Sequence, residues 1–86
     1  MRVLNVGYGN LIPQERIVAV LQPASSPVRR LREQAEQQGR LLDATQGRKT
    51  RAVLVLDSGH VVLSAFQVST LCSRLEEEVS DEPSES

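Results

Sequence analysis

Gly47-Arg48-Lys49-Thr50-Arg51 sets three cations within four residues, directly before the most apolar run of the chain, Ala52-Val53-Leu54-Val55-Leu56. Guanidinium and ammonium groups bind phosphate oxygens through charge-assisted hydrogen bonds. At the entrance of a strand they keep a fixed spacing, which suits a phosphate-bearing polymer better than the same charges on a loose tail. Gly47 permits a tight approach of backbone and side chains to a phosphate. In an extended segment Lys49 and Arg51 share one face and Arg48 takes the other, so at least one of the three points toward a partner. A charged sheet edge that discourages aggregation is the plain alternative.

A second pair of cations, Arg29 and Arg30, falls in the first turn of a helix opened by Ser26 as N-cap and Pro27 at the first helical position. Cations there oppose the helix dipole. A bound phosphate would reverse that conflict, because free N–H groups and both arginines would face it. Otherwise both side chains simply extend into solvent.

Catalytic chemistry finds little support. His60 follows a turn glycine with no second His or nearby Cys, and Cys72 lies on the apolar stripe of a helix as a small core hydrophobe. Neither has a partner for nucleophilic catalysis. Asp43 and Asp57 flank turns and form no close pair for acid–base work. Gly7-x-Gly9 lacks the third glycine and the following helix of a dinucleotide fingerprint, and reads as a turn or bulge. No Cys/His spacing resembles a zinc site, and no cofactor is expected. Tyr8 and Phe66 are the only aromatics. Proteins that stack single-stranded bases usually offer more platforms, so duplex backbone binding is favoured over single-strand reading.

The elements that must carry these residues fit one α+β domain. Arg2 to Tyr8 reads as a strand, followed by a Gly7–Asn10 turn; Leu11-Ile12-Pro13 leads to a second strand, Arg16 to Leu21, apolar on both faces. A helix then runs to about Gln38 with Gly39 closing it. Leu41–Ala44, Arg51–Leu56 and Val61–Ala65 read as strands, the last two joined by the Asp57–His60 turn. A second helix covers about Gln67–Glu78, with Val68, Leu71, Cys72, Leu75 and Val79 at helical spacing. The order is ββαβββα, with a mostly antiparallel sheet and two helices.

Length and charge set the outer bounds. At 86 residues the chain is one domain at most, with no stretch of transmembrane length and no signal peptide. Residues 1–75 carry all ten Lys/Arg against five acids, whereas 76–86 hold six acids and no cation. A basic body with an acidic, disordered tail fits an anionic partner, the tail acting as competitor or solubiliser. A core this small leaves apolar surface over, which oligomerisation would cover. A cytoplasmic location follows from these features as an expectation.

Taken together, Asn5-Val6-Gly7-Tyr8-Gly9-Asn10, Ser26-Pro27-Val28-Arg29-Arg30, the block Leu42-Asp43-Ala44-Thr45-Gln46-Gly47-Arg48-Lys49-Thr50-Arg51-Ala52-Val53, and Asp57-Ser58-Gly59-His60-Val61-Val62-Leu63-Ser64 strongly resemble the RemA-type extracellular-matrix regulatory family of bacteria. The resemblance spans about residues 1–75. It implies a DNA-binding regulator that activates biofilm-matrix genes, acts at the nucleoid, and forms a ring-shaped homo-oligomer presenting repeated basic surfaces to double-stranded DNA, wrapping or bending it. Family DNA-binding positions fall on Arg16, Pro27, Arg48 and Lys49. Arg16 and Arg48 match in identity; Lys49 replaces a typical arginine, keeping the charge but not the bidentate fork. Pro27 would act by setting the helix start. Two other classes use the same face: an RNA-binding protein, and a scaffold whose two-sided strand 16–21 recruits a protein while the cations serve solubility.

Overall fold

The computed structural model describes residues 2–78, the side chains of 76–78 excepted. Its strands and α-helices are β1 (Val3–Asn5), β2 (Leu11–Pro13), β3 (Ile17–Leu21), α1 (Ser26–Gln37), β4 (Leu41–Asp43), β5 (Ala52–Leu56), β6 (Val61–Ser64) and α2 (Val68–Glu78). The α+β class and the mostly antiparallel pairing expected from the sequence are present. The order, however, is βββαβββα: Leu11-Ile12-Pro13 is not a lead-in but a strand of its own, closing a hairpin with β1 through Leu4↔Ile12. A short 3-10 turn, Gln14–Arg16, then separates it from β3, so Arg16 precedes the strand rather than opening it. The acidic tail assigned to 76–86 lies outside the described residues, apart from the last backbone turn of α2.

The second sheet has the strand order β3-β5-β6-β4, with β4 parallel to β6 and the other neighbours antiparallel. β3 and β4 are thus opposite edges, and α1, which connects them, crosses one whole face. Side-chain alternation along β5 and β6 divides the core in two. Val53, Val61 and Leu63 meet Val28 and Ala35 of α1, while Ala52, Leu54 and Val62 meet Leu4, Val6 and Ile12 of the β1–β2 hairpin and Leu71 of α2. β5 is central, as its continuous apolar run requires, and Ala52, Val53 and Leu54 are fully enclosed. β3 is not fully covered. Its pairing with β5 is irregular between Ile17 and Ala19, and Val18, at the irregularity, is 65 % exposed. Cys72 is half-buried, not a member of either apolar cluster.

α1 begins one residue earlier than the sequence alone implied. Ser25, not Ser26, is the N-cap: its hydroxyl accepts the Val28 N–H at 3.4 Å and its carbonyl accepts the Arg29 N–H at 3.0 Å. Pro27 is then the second helical residue, still within the turn where a missing N–H costs nothing. Gly39 follows the helix at φ +73, the left-handed position that ends it. Among the described residues no helix is long and apolar enough to cross a membrane.

One buried hydroxyl joins the two sheets. Ser64, fully enclosed at the end of β6, donates its Oγ–H to the Val6 carbonyl at 2.7 Å and accepts the Phe66 N–H at 3.0 Å. Ser64→Ala leaves the buried Val6 carbonyl and the part-buried Phe66 N–H without this partner, a loss of about 1–3 kcal/mol. For a domain of this size a thermal melt should register it as a fall of roughly 4–24 °C. An unchanged melting temperature would show that the hairpin docks without this hydroxyl.

Candidate nucleic-acid interface

The segment from Ala44 to Arg51 returns from edge strand β4 to central strand β5, passing the end of β6. It is tied to β6 at both ends: the Ala44 N–H donates to the Leu63 carbonyl at 2.9 Å, and the Arg51 N–H to the Ser64 carbonyl at 2.8 Å. Between these ties lies a tight turn. The Arg48 N–H donates to the Thr45 carbonyl at 3.0 Å, and the two central residues, Gln46 and Gly47, have φ +55 and +80. This is the type I′ arrangement, with both central residues left-handed. Nothing lies within 4 Å of a Cβ built on Gly47, so the glycine serves the turn's backbone and not a close approach.

The turn is anchored by Asp43. Its Oδ1 accepts the Thr45 N–H at 2.9 Å and the Thr45 hydroxyl at 2.6 Å, while Thr45 itself is buried. These two bonds, the hydroxyl one foremost, hold the Asp43 carboxyl below the ordinary carboxylate range, with Arg32 adding a favourable field and partial burial opposing. Sequence reasoning placed Asp43 as a plain turn-flanking acid. The Asx-turn spacing Asp-x-Thr immediately before the basic run was the available signal.

Arg48, Lys49 and Arg51 are all exposed, and none forms an ion pair with a carboxylate among the described residues. Together with Tyr8, Ala65 and Phe66 they border a groove of about 300 Å³. Lys49 and Arg51 also border a neighbouring groove beside Gln22, Pro23 and the start of α2, which Arg48 does not reach. All three cations nevertheless share the first groove. Both aromatic rings are beside arginines: the Arg48 guanidinium carbon is 5.8 Å from the Tyr8 centroid and that of Arg74 is 5.1 Å from Phe66. Neither Tyr8 nor Arg74 was among the residues the sequence singled out for binding.

The other expected contacts are elsewhere in the subunit. Arg16 adjoins the far end of β5, where its carbonyl accepts the Asp57 N–H and its guanidinium pairs with Asp57 Oδ2 at 3.3 Å. Six residues of extended chain from Arg51 to Asp57 amount to roughly 20 Å. Arg29 and Arg30 belong to the α1 layer, on the opposite face of the sheet from the Tyr8 hairpin. Arg29 borders a groove with Arg32, Glu33 and Glu36, so acids offset it. The helix-terminal phosphate site is also weakened there, since Pro27 has no N–H and that of Val28 is taken by Ser25. Pro27 shapes this helix start and does not adjoin the basic groove. His60 hydrogen-bonds Ser58 Oγ through Nδ1 at 2.7 Å within its turn. Among the described residues, no group of three or more His, Cys, Asp or Glu could hold a metal ion.

Fold and site together define a small α+β domain whose conspicuous surface is a cationic loop with no carboxylate partner among the described residues. The model of the RemA-like family, described as "Extracellular matrix regulatory protein A-like", matches residues 3–75. The chain belongs to the RemA-like family. It is 58 % identical over 77 residues to a protein of Oleidesulfovibrio alaskensis named "Putative regulatory protein", covering 90 % of this chain and 92 % of that one. A Bacillus cereus protein carrying the same description is 52 % identical over 84 residues, covering 95 % and 97 %. A Thermodesulfovibrio yellowstonii relative is 47 % identical over 75 residues, covering 87 % and 88 %.

Asp43→Asn keeps the shape of the anchor but replaces a charge-assisted acceptor with a neutral one, at a cost of about 1 kcal/mol at neutral pH. Because the folded carboxyl titrates below the unfolded one, its contribution is complete above about pH 4 and is lost as pH falls through the lower folded value. Thermal melts from about pH 7 to 3 should show the wild type losing this increment only below about pH 4, with the Asp43→Asn variant lacking it throughout. Parallel curves across the whole range would remove Asp43 from the anchor.

Proposed function

We propose that this protein is a transcriptional regulator that binds duplex DNA as a homo-oligomer, through phosphate contacts made by the Arg48–Lys49–Arg51 loop. The observation that carries this is the loop itself: three cations without carboxylate partners among the described residues, on a segment hydrogen-bonded to β6 at both ends. Held cations of this kind give up little conformational freedom on meeting a phosphate, and their gain comes from released counterions. Such binding is largely sequence-tolerant, with preference set by how easily the DNA deforms. The family and its relatives' names support a regulatory, non-enzymatic role, and the family description, naming an extracellular-matrix regulatory protein, supports extracellular-matrix genes as its targets.

One subunit offers too few cations for tight binding. Linked copies raise the effective concentration of each further contact. Two exposed apolar features support assembly. Val18 protrudes from edge strand β3, while Leu11 and Leu42, both about half-exposed or more, border a groove with Val6, Ile12 and Val62 beside the opposite edge, β4. A contact between two different patches is head-to-tail, and head-to-tail contacts close into rings when the rotation allows. In such an assembly Arg16, next to Val18, lies at the junction between copies, and its exposed pair with Asp57 is cheaply exchanged for a phosphate.

Fluorescence anisotropy of a duplex several helical turns long, titrated across a salt series, tests the reading. The wild type should bind with a steep negative slope, and Arg48→Ala/Lys49→Ala should lose affinity and about 1.8 units of slope for each engaged subunit. Absence of wild-type binding, or equal binding by the double variant, would overturn it; preferential competition by structured RNA would reassign the same face to RNA. Val18→Glu should convert the assembly to smaller species in sedimentation velocity and weaken DNA binding although the basic loop is intact. An unchanged sedimentation coefficient would exclude the β3 edge from the contact.

A further inference from the structure

Tyr8 occupies a backbone position that a tyrosine rarely takes. At the tip of the β1–β2 hairpin it has φ +56, between Gly7 at +122 and Gly9 at +77. For a bulky side chain this left-handed conformation is an outlier, whereas Gly or Asn adopts it readily. The conformation is held from both sides. Asn5 Oδ1 accepts the Gly7 N–H at 2.8 Å, and both the Asn10 N–H and its side-chain amide donate to the Gly7 carbonyl, at 3.0 and 2.8 Å. The tip also rests on the base of the basic loop, for a Cβ built on Gly7 comes within 3.7 Å of the Ala44 carbonyl and 3.9 Å of the Phe66 ring.

Core packing does not account for the tyrosine. It is 50 % exposed and belongs to neither apolar cluster. Its ring instead borders the groove shared by Arg48, Lys49 and Arg51, with the Arg48 guanidinium over it. A guanidinium lying on an aromatic face uses its own face and leaves the N–H donors at its rim free for an anion.

We infer that Tyr8 is itself part of the DNA-binding surface: its ring orients Arg48 so that the guanidinium edge meets a backbone phosphate, and its phenolic O–H donates to an adjacent phosphate or sugar oxygen of the same strand. This rests on the duplex-DNA reading above and extends it from charge to geometry. A rigid aromatic beside the cations fixes the direction of the strongest donor, which charge alone does not. The left-handed backbone at the tip is the conformation that brings the ring to the groove, and strained residues of this kind concentrate at functional surfaces.

Tyr8→Asn, Tyr8→Phe, Arg48→Ala, Tyr8→Asn/Arg48→Ala and Arg48→Ala/Lys49→Ala, each assayed on the same duplex across the salt series with a thermal melt beside it, decide the matter. Tyr8→Asn should melt at or above the wild-type temperature, because Asn is at ease at this φ. It should nevertheless bind about twofold to fivefold more weakly per engaged subunit, with the salt slope unchanged because no charge is removed. Tyr8→Phe should recover the part due to the ring, and the two substitutions combined should cost less than the sum of their separate effects. If Arg48→Ala/Lys49→Ala loses binding while Tyr8→Asn binds like the wild type, the role of Tyr8 is overturned and the DNA reading stands. A Tyr8→Asn loss of affinity that merely tracks a lower melting temperature overturns it too, in favour of a structural role. If the wild type does not bind duplex DNA, both readings fall together.

Discussion

Three parts of the molecule meet at Ser64, and its hydrogen bonds decide where each of them sits. Its hydroxyl links the carbonyl of Val6, in the hairpin, to the N–H of Phe66, just before α2, while its own carbonyl receives the N–H of Arg51. A residue with no hydroxyl would leave a buried acceptor and a part-buried donor unpaired, and a larger one would not fit a position with no exposed surface. Among the described residues no buried side-chain polar atom lacks a partner. The small core tolerates this one polar junction because it is complete. Through it the hairpin carrying Tyr8 and the loop carrying the cations are set in one fixed relation.

The rest of the architecture follows from having little to bury. Each face of the four-stranded sheet is covered by a thin layer, one by α1 and the other by the hairpin with α2, so that β5 and β6 are shielded while β3 and β4 remain edges. Edges with exposed apolar residues are a liability in a lone domain. In the assembly proposed above they would be the material of the contact, and the irregularity at Val18 would favour a side-chain knob over simple strand addition.

Much of this fold was legible because its signals are local and strong. The run Ala52–Leu56 reads as a strand, Asp57–His60 as a turn, and the stripes of α1 and α2 as helices packed on a sheet. What escaped shares a different property: it depends on partners distant in sequence or on a choice between near-equals. β2 is three residues long and ends in Pro13, so no periodicity can reveal it; it exists because β1 lies opposite. Ser25 and Ser26 are equally good caps, and the path of the chain from β3 decides between them. The basic loop was evident from composition, but its anchor at Asp43 and Thr45 shows only when the carboxylate is seen bonding two groups at once. The separation of Arg16 and Arg29 from the loop is likewise a matter of topology, since pattern alone cannot say which end of a strand or which layer a cation occupies.

That separation gives the charge distribution its direction. The folded part has a surplus of cations, yet they are not equivalent. Arg16 is paired with Asp57, and Arg29 shares its surface with Glu33 and Glu36. Arg48, Lys49 and Arg51 have no such neighbour among the described residues, although three like charges held close together repel one another. A stability-driven sequence would relieve that repulsion with a nearby acid, as it has at Arg16. Here the anchoring carboxylate, Asp43, is committed to Thr45, where its hydrogen bonds fix the turn instead of neutralising the cations. The uncompensated field is thus concentrated at the end of β6, on a loop bonded to that strand at both ends. On the duplex-DNA reading proposed above, an arriving polyanion would relieve the repulsion and meet donors already in place, so the same constraint that holds the loop would also make it receptive.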